Sequence, residues 1–178
     1  MIPRGPRTLG YYASSQWFQW AVLFLVLGSL ATVLLSALDD IKERAEKQVV
    51  DLTLRNMRTG MRLAMGEALI QQREREIATW GGGNPVGWLG APPVGYRGEC
   101  SAGESRRLSG QEWCFERPSG ELVYRPNSVD HLHDPVAEKD SPCVQLRWRV
   151  ARLSESASSA SFVGLWIESA STCQWVLD

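Results

Sequence analysis

The side chains from which chemistry could be built are few in this 178-residue chain: two histidines, four cysteines and one short serine-rich run. His131-Leu132-His133-Asp134 sets two imidazoles at alternate positions, as a metal site on a strand would need. No further Cys or carboxylate pattern completes a tetrahedral set, and the segment reads as a surface loop. Cys100, Cys114, Cys143 and Cys173 include no Cys-x-x-Cys pair, which argues against a thioredoxin-like redox motif and against a zinc ribbon. The Ser-rich tract 154–161 has no Gly-x-Ser-x-Gly elbow and reads as a connection. Arg147, Arg149 and Arg152 line one strand region, where a solvated sheet face is a better reading than a basic patch. No catalytic constellation emerges. The expectation is a protein that is not an enzyme, holds no metal or cofactor, and takes no small-molecule substrate.

Charge narrows the partners further. With 19 basic and 20 acidic residues the net charge is −1, which disfavours a globally basic nucleic-acid binder. The charges are unevenly placed. Residues 1–38 hold only Arg4 and Arg7, residues 39–79 alternate both signs, and residues 80–178 are slightly acidic.

The uncharged block Trp17–Leu38 is the strongest single signal. A helix of this length is about 33 Å long, enough to span the hydrocarbon core of a bilayer. It is too long for the apolar region of a cleavable signal peptide, and Thr32-Val33-Leu34-Leu35 carries the apolar run past the small-residue site near Ser29 and Ala31. Tyr11, Tyr12, Trp17, Phe18 and Trp20 cluster at one end as an interfacial belt would. Basic residues flank both ends, so charge alone leaves orientation open. All four cysteines lie beyond residue 99, and an even number confined to a small extramembrane domain fits an oxidising compartment. The expectation is a single-pass inner-membrane protein with a cytoplasmic N-terminus and a periplasmic head.

From Asp39 to Ala78 no Pro occurs, and Val50, Leu54, Met57, Met61, Ala64 and Ala68 recur at steps of 4, 3, 4, 3 and 4. That is the stripe of an amphipathic helix, with a kink or break at Gly60 or Gly66 left open. Asp40–Arg44, Glu43–Lys47 and Asp51–Arg55 are opposite charges at i,i+4, expected to pair along its surface. The stripe either packs on the protein's own head or offers Val50, Leu54, Met57 and Met61 to a helix of another subunit.

Residues 81–98 hold seven Gly and three Pro, a loop signature. Gly81 is expected to close the helix in the left-handed C-cap conformation, and Pro85 to prevent its resumption. The loop has no Gly-Lys-Ser/Thr and no strand feeding it, so it is not a phosphate cradle. Asn84, Pro85, Trp88 and Tyr96 mark it as an ordered loop pinned against a sheet. Glu112–Glu116 and Glu121–Arg125 flank Arg117-Pro118-Ser119-Gly120 and read as a hairpin. Asn127–Pro142 reads as loop. From Cys143 to Leu153 the alternation is regular, with Val144, Leu146, Trp148 and Val150 on one side. Phe162–Glu168 and Cys173–Leu177 complete an expected meander. The fold class is α+β: a transmembrane helix continuing into a long amphipathic helix packed on a small antiparallel sheet. Residues 1–16 form the tail, 17–38 the span, 39–79 the connector and 80–178 the head.

Four cysteines allow three pairings. Cys100 ends the loop leading to the strand that carries Cys114, and Cys143 and Cys173 open two later strands. These placements favour Cys100–Cys114 and Cys143–Cys173, with four reduced core thiols as the alternative.

An apolar N-terminal helix running on as an amphipathic helix into a small disulfide-bearing sheet domain resembles the architecture of type IV pilins and pseudopilins. Trp80, Gly83-Asn84-Pro85-Val86-Gly87-Trp88-Leu89, Pro92-Pro93, Tyr96, Gly98-Glu99, Trp113-Cys114-Phe115 and Gly120-Glu121-Leu122-Val123-Tyr124-Arg125 resemble the MshF-type biogenesis proteins of mannose-sensitive haemagglutinin pili. Related pilus and type II secretion accessory proteins share this likeness, which covers about residues 17–125. A prepilin places Glu five residues past its cleavage point, whereas Ser15 stands there after Gly10. The resemblance therefore implies a retained inner-membrane accessory or assembly component of a type IV pilus-like (MSHA-type) or type II secretion system, whose partners are the membrane and other subunits. The rival expectation is an anchored extracytoplasmic sensor or ligand-binding domain. The short segment ahead of the span disfavours it.

Overall fold

The computed structural model describes residues 10–129, 132–135, 143–153 and 164–175. His131, the serine tract 154–161 and most of the N-terminal tail lie outside them. The chain divides into two compact units, with the boundary between Lys42 and Glu43. In the first unit, α1 (Gly10–Ile70) presents an exposed apolar surface from Trp17 to Leu38. By length and composition this helix is able to cross a membrane.

In the second unit α1 continues without a break through Gly60 and Gly66 to Ile70. It stops where Gln72 adopts φ 58°. The N–H of Arg73 reaches back to the carbonyl of Ala68 at 2.8 Å and that of Gln72 to Leu69 at 3.0 Å. This pair of bonds is a Schellman cap built on glutamine. The expected stop at Gly81 is therefore corrected. Gly81 sits at φ −59°, ψ 131°, outside the left-handed region. Between the two points the chain makes a short helix α2 (Glu74–Ile77) and two 3-10 turns, Ala78–Trp80 and Pro85–Trp88.

The main sheet has five strands in the order β1-β2-β3-β5-β6. These are β1 (Tyr96–Cys100), β2 (Glu112–Glu116), β3 (Glu121–Arg125), β5 (Leu146–Leu153) and β6 (Gly164–Ser169). The β2–β3 hairpin matches the sequence reading in place and direction, whereas β5 begins at Leu146 instead of Cys143, and Val144, expected on the core side, is exposed while Gln145 is buried. Three expectations are corrected. Leu132–His133, inside the segment 127–142 read as loop, forms a short strand. The sheet is mixed, because β1 runs parallel to β2; residues 101–111, including the short helix α3 (Ala102–Ser105), carry the chain back for a second pass in the same direction. The last strand does not extend the meander. Instead β7 (Gln174–Trp175) pairs with β4 (Leu132–His133) in a separate two-stranded ladder.

The sheet buries one face against α1. Trp113, Leu122, Tyr124, Leu146, Trp148, Val150, Leu165 and Ile167 meet Val50, Leu54, Met57, Met61 and Ala68 in one core. Trp113 is its centre, with ring centroids 4.2 Å from Tyr124 and 5.8 Å from Trp148. Full burial of each large side chain contributes about 1.5–3 kcal/mol. A smaller cluster of Leu108, Cys114 and Val123 with Cys100 lies on the opposite face.

Candidate functional site

Val50, Leu54, Met57 and Met61 are 0–4% exposed in the core of their own chain. The reading that offered these four to a partner helix is corrected: the head already uses the stripe to close its own sheet. The face of α1 turned away from the core is the surface left accessible, and it is apolar at Val49, Leu52, Leu63 and Ile70.

The stripe extends back toward the span with two carboxylates. Glu43 and Glu46, at steps of 3 and 4 from Val50, are buried. Glu46 Oε1 accepts from the Tyr124 hydroxyl at 2.7 Å and from the Asn127 backbone N–H at 2.9 Å. Burial and the neighbouring Glu46 carboxylate push the Tyr124 phenol far above its ordinary value. Glu43 Oε1 accepts from Trp175 Nε1 at 3.0 Å, while Lys47 Nζ donates to the Trp175 carbonyl at 3.1 Å. Glu43 and Lys47, read from the sequence as a surface ion pair, thus both hold the β7 tryptophan. Sequence reasoning missed this clasp because charges next to a span read as solvated. The 3–4 spacing into Val50 was the signal that could have found it.

The glycine-rich loop is tied down at three points. Asn84 caps the second 3-10 turn by accepting from the Val86 N–H at 3.1 Å, and its Nδ2 donates to the Tyr96 hydroxyl at 2.7 Å. Pro85 is fully buried, and Trp88 packs on Trp80 with ring centroids 5.9 Å apart. The Trp88 carbonyl lies where a Cβ on Gly60 would stand. Glycine at this helix position lets loop backbone touch helix backbone.

Cysteines pair as Cys100–Cys114 and Cys143–Cys173, each with Cα atoms 5.9 Å apart. The first bond ties the outer strand β1 to β2. The second tethers the segment entering β7 to that entering β5. Asp134 lies beside Cys143 and Cys173, but both sulfurs are consumed by the disulfide, so the trio offers no thiolate to a metal. His133 is exposed. On the sheet face away from α1, Arg147 Nη1 bridges Glu116 at 3.0 Å and Glu121 at 2.9 Å, and Ser105 donates to Glu116 at 2.9 Å. Arg149 pairs with Glu168 at 2.6 Å. Arg147 and Arg149 are thus neutralised by cross-strand carboxylates, while the Arg152 side chain lies against Gly81.

Comparison with family models, with curated proteins and with solved structures finds no match to this chain.

Proposed function

We propose that this protein is an inner-membrane-anchored accessory or assembly component of a type IV pilus-like (MSHA-type) or type II secretion system, acting through protein–protein contacts by a periplasmic head. One observation carries the reading: a single helix supplies both an exposed span-length apolar segment and the spine of a two-disulfide sheet domain. A span-length apolar segment supports a bilayer location, and the disulfides suit an oxidising compartment. The clasp of Glu43, Glu46 and Lys47 begins five residues past Leu38, so β3 and β7 are fastened to the helix close along the chain to the bilayer. An apolar outer face on a rigid spine suits helix packing against neighbouring subunits.

Deleting the gene in its host tests this. Loss of surface pili or of type II secretion, restored by the full chain but not by residues 43–178 alone, is the expected result. Unchanged pili and unchanged secretion would overturn it.

A further inference from the structure

We propose that the outer face of α1 from Val49 to Ile70 is the seam of a parallel dimer with a second copy of this chain. Val49, Leu52, Asn56, Thr59, Leu63 and Ile70, with Gly66 filling the remaining place, follow steps of 3, 4, 3, 4, 3 and 4. These are the a and d positions of three successive heptads and the a position that follows them. They occupy the side of α1 opposite the buried stripe. Val49, Leu52, Leu63 and Ile70 are 61, 59, 71 and 86% exposed. A helix that lies on a globular core keeps polar residues on its outer face. Here large aliphatic residues stand at four of the seven positions, Val49, Leu52, Leu63 and Ile70, with Asn56, Thr59 and Gly66 between them.

Charge selects the occupant and its direction. With Val49 at position a, Arg55 and Arg62 fall at g and Glu67 at e. In a parallel pair each g residue faces the e residue five places on in the other helix, so Arg62 meets Glu67 of the second copy, twice by symmetry. Both side chains are exposed. Gln71, at position b on the flank away from the seam, donates to Glu67 at 3.0 Å, and the Glu67 carboxylate keeps acceptor capacity for a guanidinium on its other side. An antiparallel pair would set g against g and bring arginines together. Asn56 at an a position fixes register at a cost in affinity, so the seam associates weakly alone. The membrane-anchored reading supplies the remainder: two copies held in one bilayer by residues 17–38 share direction and a raised effective concentration. The dimer rests on that reading for its strength, while the Arg62–Glu67 complementarity stands independently of it.

The test uses the full chain in its native membranes, with its four cysteines already paired. Thr59→Cys at a d position and Asp51→Cys at an outer c position are each oxidised with copper phenanthroline and resolved on non-reducing gels. The expected result is a homodimer at Thr59→Cys about tenfold above that at Asp51→Cys, since only seam positions bring the two thiols together. Arg62→Glu should reduce the Thr59→Cys dimer about fivefold, and adding Glu67→Arg should restore it. Equal crosslinking at both sites would mean random collision and overturn the seam. A Thr59→Cys adduct with a different protein would overturn the second copy as occupant. A dimer indifferent to Arg62→Glu would overturn the register. Release of the chain by alkaline carbonate would defeat the membrane reading instead, and is scored separately. Unchanged tryptophan emission in each variant shows that the core has survived.

Discussion

The hydroxyl of Tyr124 donates to Glu46 Oε1 at 2.7 Å across 78 residues of sequence, joining the middle of the sheet to the helix close after the span. Because burial and Glu46 both raise the phenol's pKa, the folded state keeps the proton that an unfolded tyrosine loses near 10. The stabilisation is complete below that value and is lost as pH rises above it. Tyr124→Phe should cost about 1.5–3 kcal/mol at neutral pH, the range for a hydrogen bond to a charged group. It should also flatten the alkaline limb of stability. Denaturant titrations of both proteins between neutral pH and pH 11 check this, and an unchanged alkaline limb in the variant would contradict it.

Gly60→Ala should destabilise despite alanine's better helix propensity. A Cβ there meets the Trp88 carbonyl, and backbone at that point has no flexible end to swing aside. Overpacking of this kind costs about 1–3 kcal/mol, against about 1 kcal/mol gained in the helix. The loop should lift from α1, seen as changed emission from Trp88 and Trp80. Gly66→Ala meets nothing in the second unit and serves as the control.

Met57→Ala should lower stability by about 2–5 kcal/mol, because the side chain is completely buried against the sheet. Leu63→Ala, exposed in the single chain, should change it by no more than about 0.5 kcal/mol when measured at dilutions where the chain is monomeric. Thermal melts of the two variants separate a core stripe from an outer one.

Reduction should act on the two disulfides unequally. Chain entropy gives about 3 kcal/mol for the loop closed by Cys100–Cys114 and about 3.5 kcal/mol for that closed by Cys143–Cys173. Paired Ser substitutions measure each by chemical denaturation. A Cys100–Cys173 peptide in non-reducing maps would contradict the pairing.

The two outer carboxyls should resist protonation. Glu104 is held below the usual carboxylate range by the backbone and then the hydroxyl of Ser101, and Glu112 by Arg97 and the Ser109 N–H. Each favours the folded state above the unfolded carboxylate pKa, and loses that contribution as pH falls through its lowered folded value. Carboxyl-detected NMR titration should find both late to protonate, and Ser101→Ala should return Glu104 toward its ordinary value.

The span-length apolar helix, the helix stripe and the β2–β3 hairpin were legible because each is a local pattern: unbroken apolarity, 3–4 spacing, or alternation around a Pro-Ser-Gly turn. β1 was hidden because Tyr96-Arg97-Gly98-Glu99-Cys100 is short, half polar and interrupted by glycine, so its strand character comes from pairing with β2. The stop at Gln72 carries neither Gly nor Pro, and a left-handed glutamine leaves no compositional mark. The place of Trp175 outside the main sheet is not legible locally, because its partners, Leu132, Glu43 and Lys47, are 43 or more positions away. The clasp shows the same limit from the other side. Glu43 and Glu46 are legible as helix residues, but their burial depends on Trp175 and Tyr124 arriving from the far end of the chain.

We propose that residues 17–38 anchor the chain and deliver residues 43–178 outside the cytoplasm. A phosphatase active only after export, fused behind Asp178, measures this most directly. Strong phosphatase activity in a membrane fraction that resists alkaline extraction is the expected result. Activity of a cytoplasm-only reporter at the same position, with the phosphatase silent, would contradict it.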